Sequence, residues 1–491
     1  MAPISDAQIA DLRSILPHIC IVIPDSPEYD EATSRWNAMA ESKAGAVVFP
    51  TAAEETSQLL GFSQANSLDI AVKAGGHGNR GSSPTNGGLC IDLSRIAQVS
   101  VDPVSKRITT GGGALWSHVY AEAEKYDLAA VGGISPGVGV GGLALHGGYG
   151  WLTSAHGLAV DNIVEMQIAL ADGSLVRASD TINEDLFWAM RGAGSGFGAV
   201  TEFVLQGHEQ KDWVWSGNLV FGKQNLGTVL RVCKEVLARE NHGEAALCWG
   251  WNVLPRGTEP VIFAVPWYNG SEQEAKEFFA PLLDLKSMVN TTRMVPFSAS
   301  GAASGSAPGR NLRKCGHGSS VMVPLDPVYF ESMFNDFVDF LKMVPDAGKS
   351  IVVFEVYNPY PTMQVGQTTT AFSDRGRQIN VQVVPTWTKK ENDDVCRGWC
   401  RNLSTKMADE FKRRKRDKDV DEVTKKSVGI YPNYDGKLSS VCSMNVNSQL
   451  KGFGLSPKQI YGVNYERLVE LKEKYDPDNL FRKFVNFDAV K

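Results

Sequence analysis

The sequence predicts an α+β protein, a glycine-rich mixed strand–helix region followed by an antiparallel-sheet domain covered by helices. Three observations predict it. Residues 1–207 carry short apolar runs that end in glycine turns, with helical patterns between them. Residues 208–440 change to longer polar helices and aromatic-rich strands. Residues 441–491 form a tail with one helical segment closed by DPDN. These three zones are the expected domains.

In the first zone the expected strands are AGAVVFP (44–50), LDIAVKAGG (68–76), LCIDLS (89–94), RITTGGG (107–113) and VEMQIALADG (164–173). Between them AAEETSQLLGFSQAN (52–66) and WSHVYAEAEKY (116–126) have helical patterning. In the second zone LCWGWNV (247–253), PVIFAVPWY (260–268), SIVVFEVYNPY (350–360) and QINVQVVPTW (378–387) read as strands, and windows 271–285, 327–343 and 390–415 as helices. The tail helix is NYERLVELKEKY (464–475). SASGAASGSAPG (298–309) is low-complexity and expected to be a mobile surface loop. KRRKRDKDVDEVTKK (412–426) nearly balances its charges, so a solvated face is expected rather than a nucleic-acid patch.

Length and composition narrow the function. The chain has 491 residues, 43% hydrophobic and 21% charged, which is ordinary for a globular protein and excludes a disordered or fibrous one. A net charge of −6 gives no basic field for nucleic acid or an anionic membrane. The partner expected is a small molecule, with no nucleic acid and no membrane, and the protein is expected as a monomer or homodimer. Eight cysteines, with no CxxC, make neither a disulfide scaffold nor a zinc site; Cys396 and Cys400 are expected on one helix face. Asp6 and Asp11 stand where a signal peptide needs a basic stretch and an apolar core, so a cytoplasmic protein is expected, with the sequons at Asn269, Asn290 and Asn402 unused. Residues 128–160 carry no formal charge, but ten of these 33 are glycine, a poor membrane helix. Such a stretch points instead to backbone packed against something large, flat and buried.

Gly137-Val138-Gly139-Val140-Gly141-Gly142 satisfies GxGxxG, yet Gly147, Gly148 and Gly150 interrupt the helix that a dinucleotide fold requires. No P-loop, GxSxG elbow or HExxH occurs. In AVKAGGHGNRGSS (71–83) a strand runs into Gly75, Gly76 and His77, and unhindered backbone N–H groups there suit a pyrophosphate. His77 reads as a general base, a metal ligand or an anchor, or as a histidine held by local turn bonds. DLFWAMRGAGSGFGAVTEFVL (185–205) is a helix end, a glycine cluster and a strand; its glycines suit either a ligand's flat face or close packing.

Taken in order, KAGGHGNRGSS (73–83), ISPGVGVGGLALHGGYGWLTSAHGLAVDNI (134–163), ADGS (171–174) and DLFWAMRGAGSGFGAVT (185–201) resemble the PCMH-type FAD-binding domain of the vanillyl-alcohol-oxidase superfamily. IYPNYDG (430–436) and YGVNYERLVELKEKYDPDNLFR (461–482) resemble its berberine bridge enzyme-like branch, which includes carbohydrate, 6-hydroxynicotine and natural-product oxidases. The resemblance implies a two-part FAD-binding domain over 1–207, a substrate-binding domain over 208–440, and a segment, 441–491, that returns to the first.

It further implies FAD joined through its 8α-methyl to His77, with the pyrophosphate on the backbone of Ala74, Gly75, Gly76, His77 and Gly78, Ser82 close by, and Lys73 among the cofactor-binding residues. The family's second link comes from a cysteine, and Ser135 stands there, so the expected attachment is monocovalent. Val138 occupies the position that shapes oxygen access, with valine accompanying oxidase behaviour, and Gly139, Gly141 and Gly142 complete the glycine wall. The family's final histidine of this motif is Leu143 here; His146 is one turn away, either compensating or structural. Asp161 and Asn162 match a turn beside the flavin, or are a plain turn-forming pair. Asn464 and Tyr465 match a motif that folds back onto the flavin.

On the substrate side Gln382 matches a position facing the flavin, and as a glutamine it takes no proton, so a base must come from elsewhere. Tyr431 and Tyr434 are the candidate bases, as a tyrosinate whose pKa a neighbour lowers, one facing the ligand and the other in the core. Glu355 and Tyr357 are weaker candidates on a neighbouring strand. The expected function is an oxidase that passes a hydride from an alcohol, amine or phenol-activated carbon to FAD, with O2 as electron acceptor and H2O2 as product. The alternatives are a natural-product cyclase without net redox and a carbohydrate oxidase.

Overall fold

The computed structural model describes residues 3–38, 42–78, 81–210, 213–304, 312–434 and 455–487. The glycine-terminated apolar runs of the first zone build two sheets. Cys20–Val22, Ala46–Phe49, Leu89–Asp92 and Ile70–Lys73 lie in that order, the last three mutually parallel. Helix Ala53–Ala65 covers them; Leu59 and Leu60 join Val48, Ile70, Leu89 and Ile91 in one apolar core. Val99–Asp102, Arg107–Gly111, Ala199–Glu209, Ile163–Ala169 and Leu175–Ser179 form an antiparallel second sheet, and Leu128–Ala130 pairs with the far end of Ala199–Glu209.

The third sheet is antiparallel throughout. Its main path runs Val289–Asn290, Leu219–Phe221, Pro260–Tyr268, Ala245–Val253, Ile351–Val356, Gln378–Val384 and His317–Met322. Strand side chains alternate between faces. On one face Trp249 stacks on its cross-strand partner Phe354 at 4.6 Å, and Trp251 lies edge-on to the same ring at 4.9 Å. Helices Leu226–Val236, Pro327–Met343 and Asp393–Arg414 cover that face through Val229, Phe334, Phe337 and Met407. Pro327–Met343 starts where sequence rules place it, with Asp326 capping the Val328 N–H and proline in the first turn. Cys396 and Cys400 are both buried on the inner face of Asp393–Arg414. The opposite face of the sheet, with Cys248, Gly250, Val353 and Glu355, is left for something else. The helix-and-sheet architecture of the sequence reading is therefore present.

Two expectations change. Window 271–285 divides into Glu272–Phe278 and Ala280–Leu283, because Pro281 cannot continue the first helix. Residues 298–304 of the expected mobile loop 298–309 belong to a 3-10 turn, Phe297–Ser304, in which Ser298 donates to Glu124 at 2.7 Å and Ser300 is buried; residues 305–309 lie outside the described residues.

The tail packs on the first two sheets. Lys472 donates to the Gly196 and Phe481 carbonyls at 2.6 and 2.9 Å and pairs with Asp476. Asp476, which opens DPDN, also accepts the Leu480 and Phe481 N–H groups at 2.8 Å. No helix among the described residues is long and apolar enough to cross a membrane.

Candidate active site

A cavity of about 1120 Å3 runs between the glycine-rich first zone and the open face of the third sheet. Its first wall is made of Ala74–Gly78 with Ser82, together with Ser135, Val138, Gly139, Gly141, Gly142, Leu143, Leu145 and His146. Glycine is required there by contact. A Cβ on Gly75 would stand 2.5 Å from the Gly139 nitrogen, and one on Gly139 2.4 Å from the Gly75 nitrogen, so the two segments touch backbone to backbone. Gly76 holds a left-handed φ of +71°. A Cβ on Gly142 would meet nothing within 4 Å, because that glycine faces the cavity.

His77 lines this wall, its Nε2 3.9 Å from where a Gly137 Cβ would lie. Trp36 stacks on the imidazole, ring centres 5.8 Å apart. Lys314 lies behind Trp36, and burial pushes its pKa down to about 8. Ser135 and Val138 line the same wall, and Ser82 lies against Gly78.

His146 also borders the cavity, in a structural role. Its Nδ1 donates to the Gly192 carbonyl at 3.2 Å, which leaves Nε2 to accept from the Ser195 hydroxyl at 2.7 Å, and its ring stacks on Phe484 at 3.6 Å.

The second wall is the sheet face. Gln382, between Val353 and Gly318 on the neighbouring strands, points into the cavity, and Glu355 lies between Cys248 and Asn380 one row along. Over them sits the turn bearing Tyr431 and Tyr434, ring centres 4.7 Å apart. Asp374 positions that turn, accepting from Gly429 N–H at 2.8 Å and from Gln378 at 2.7 Å, while Ser427 also donates to it. Asn433 donates to the Tyr431 oxygen at 3.0 Å and to the Leu143 carbonyl at 3.4 Å, linking the two walls. A Cβ on Gly318 would come within 2.6 Å of the Tyr434 Cβ.

The electrostatics separate the acid from the tyrosines. Burial raises Glu355 to about 7, and the Tyr434 hydroxyl donates toward its carboxyl. Oε2 of Glu355 is buried and has no hydrogen-bond partner among the described residues. Burial also raises both Tyr431 and Tyr434, with the Glu355 charge raising them further. The expected free tyrosinate is therefore corrected: burial keeps both phenols above their ordinary value, the Asn433 hydrogen bond offsetting only part of it at Tyr431, and Glu355 is the group poised near neutrality.

Several expected cofactor contacts lie off the cavity wall. Lys73 pairs with Asp92 at 2.6 Å and braces Gly76 from behind. Asp161 forms a two-point ion pair with the fully buried Arg375 at 2.7 and 2.9 Å. Asn162 donates to the His156 and Leu158 carbonyls and accepts from His208 at 2.7 Å. Asn464 donates to the Gln367, Thr370 and Ala371 carbonyls, and Tyr465 is buried in the core beside it. These residues fasten the elements around the site. Tyr357 is buried behind Tyr149, its ring 6.1 Å away, and does not line the cavity. Sequence reasoning missed Trp36, Lys314, Asn433 and Arg375. Asn433 carried a signal, sitting inside YPNYDG; the others carried none.

The glycine wall fits a flavin dinucleotide: backbone N–H groups at Ala74–Gly78 for a pyrophosphate, and a slot that Cβ atoms would fill for a flat ring. Comparison with known families agrees. Residues 44–179 match the FAD binding domain family and 446–485 the family described as berberine and berberine like. The chain is an FAD-linked oxidoreductase with a FAD binding domain and a berberine-like segment. This oxidoreductase is 28% identical to the FAD-linked oxidoreductase pgmH of Aspergillus terreus over 98% of its length and 96% of that protein's. It is 35% identical to (R)-6-hydroxynicotine oxidase of Paenarthrobacter nicotinovorans over 38% of this chain and 41% of that one. Its fold matches 6-hydroxy-D-nicotine oxidase of Arthrobacter nicotinovorans (TM-score 0.75, 22% identity, 96% and 97% of the two chains covered). It equally matches xylooligosaccharide oxidase of Myceliophthora thermophila (TM-score 0.76, 22% identity, 97% and 98% covered).

Proposed function

We propose that this FAD-dependent oxidoreductase is an oxidase that removes a hydride and a proton from a small organic alcohol, amine or phenol-activated carbon, with FAD held through a single bond to His77. When bound, FAD supplies the hydride-accepting centre, and O2 restores its oxidised form with release of H2O2. The observation that carries the reading is the Glu355–Tyr434 pair on the sheet face, opposite the glycine wall.

The chain's own part is proton management and positioning. Tyr434 takes the substrate's O–H or N–H proton while its own proton moves to Glu355, so no free tyrosinate is needed. With a pKa of about 7, Glu355 is ionised often enough to accept and still basic enough to pull. Gln382 orients the substrate by donating and accepting hydrogen bonds without titrating. His77 faces the Ser135–Gly139 segment, where an imidazole nitrogen is a competent nucleophile toward the flavin methyl group. Trp36 holds that ring in one orientation. With Ser135 in place of the family's cysteine, no second bond forms there.

Stopped-flow mixing of the anaerobic holoenzyme with a panel of alcohols, amines, sugars and phenols tests the reading. Substrate-dependent bleaching of the flavin, followed by H2O2 release on admitting air, is the expected result. Product formed while the flavin stays oxidised would replace it with a cyclase that works without net redox.

A further inference from the structure

The sheet wall has a composition that specifies more than a reaction. Backbone pairing aligns Val289, Val220, Phe263, Gly250, Val353, Gln382 and Gly318 in one row across the strands. At about 4.8 Å per strand, the part from Val289 to Val353 makes an apolar floor roughly 19 Å wide. Gly250 sits in the middle of it, where a Cβ would stand 3.1 Å from the Phe263 ring. A second row outward adds Ile351 and Val384, paired with one another, and the following loop adds Val253 and Leu254.

Asn218 and Asn252 are the amides beside this floor, and the titratable groups stand at its two ends. Glu355, Gln382 and Tyr434 stand at the inner end. At the outer end the strands Ala245–Val253 and Ile351–Val356 are paired neighbours, so the turn carrying Arg256 and the approach carrying Lys349 come to the same rim. Both cations are exposed, both line the cavity, and neither has an ion-pair partner among the described residues. Lys483, the other lysine on the lining, is already paired with Asp69. Among the described lining residues Glu355 is the one acid, and it is deep.

We propose that the substrate is an apolar-bodied organic acid, its carboxylate or other anionic group held at the rim by Arg256 and Lys349 and its oxidisable end at Tyr434 and Glu355. This deepens the oxidase reading and rests on it for the placement of the reacting end. An oligosaccharide is disfavoured by the same wall: its hydroxyls would be desolvated against valine, isoleucine and phenylalanine with few partners. An apolar body gains by covering that floor, and the rim cations steer and select the charged end.

Two dyes of similar shape test this with the holoenzyme. Anilinonaphthalene sulfonate is flat, apolar and anionic; N-phenylnaphthylamine is its uncharged relative. At low salt the sulfonate should bind about tenfold tighter or more, and should perturb the flavin's visible band. Arg256→Ala/Lys349→Ala should bring the two affinities within about threefold of each other, whereas Val353→Asn should weaken both dyes. Equal affinities in the parent, or a gap that survives in the double variant, overturns the anionic assignment. Xylobiose shifting the flavin band where the sulfonate does not overturns the apolar one. Failure of the oxidase reading shows separately, as a flavin that no substrate reduces, while dye fluorescence still reports the pocket.

Discussion

Lys314 sets its ammonium 4.1 Å from the centre of the Trp36 ring and donates a 2.8 Å hydrogen bond to the Trp36 carbonyl. Trp36 in turn stacks on His77. A two-residue strand, Arg313–Lys314, thus braces His77, the proposed point of flavin attachment, through Trp36. A desolvated cation over an indole is worth about 2 kcal/mol, enough to fix one ring orientation. We expect Lys314→Met and Trp36→Ala to lower the fraction of flavin that survives acid or SDS several-fold, and His77→Ala to abolish it. Flavin fluorescence in denaturing gels measures all three. Full retention in both brace variants would show that His77 is held by other contacts.

Tyr434→Phe should slow flavin reduction by about two orders of magnitude, with Glu355→Gln close behind. Tyr431→Phe should cost much less, because its oxygen is engaged by Asn433. Gly318→Ala pushes on the Tyr434 Cβ and should reduce the rate without unfolding the protein. Single-turnover reduction against circular dichroism separates these effects. An unimpaired Tyr434→Phe enzyme would move the proton acceptor elsewhere.

The pH profile follows from Glu355. With its pKa raised to about 7 by burial, the carboxylate that accepts a proton is lost as pH falls through that value. Reduction should therefore rise with pH to a plateau above about 7, and Glu355→Gln should flatten the profile. A profile unchanged by that substitution would assign the titration to another group.

Stability responds to acid through a different pair. His208 stacks on His156 at 3.7 Å and donates from Nε2 to Asn162; burial, then the charges of His156 and Lys106, hold it down to about 4. Burial lowers His156 as well. The unfolded chain titrates its histidines near 6.5, so between about 6.5 and 4 it binds protons that the folded chain refuses. Stability should be complete above about 6.5 and should fall as the pH drops toward 4. His208→Gln keeps a donor for Asn162 and should flatten that fall. Glu355 acts with the opposite sign, so melting temperatures are best compared in a Glu355→Gln background.

Arg375→Met should destabilise the fold by about 3–5 kcal/mol, leaving Asp161 buried without its partner. Denaturant titration measures this. Asp161→Asn/Arg375→Met should recover part of the loss, since removing both charges leaves neither stranded.

Many of the strands and the long helices were legible because each follows from local periodicity: Pro327–Met343 begins just after its cap, Asp326, and Pro260–Tyr268 coincides with its apolar run. The glycine wall was legible for a related reason, since a backbone that must touch backbone tolerates no side chain, and that requirement is written residue by residue. Asp161, Asn162 and Asn464 misled because a polar residue near a motif is equally able to bond a ligand or a buried carbonyl, and only three-dimensional neighbours distinguish these. Glu355 was legible only as a weaker candidate base, because its raised pKa comes from burial that segments distant in sequence complete. By itself the sequence determined the glycine wall, through contacts between near neighbours and steric exclusion, and the order of its motifs carried the resemblance that implied the class of cofactor. The tertiary structure alone decided which acid titrates, what braces His77 and what shape of molecule the sheet admits, because each arises where segments distant in sequence are brought together and water is removed.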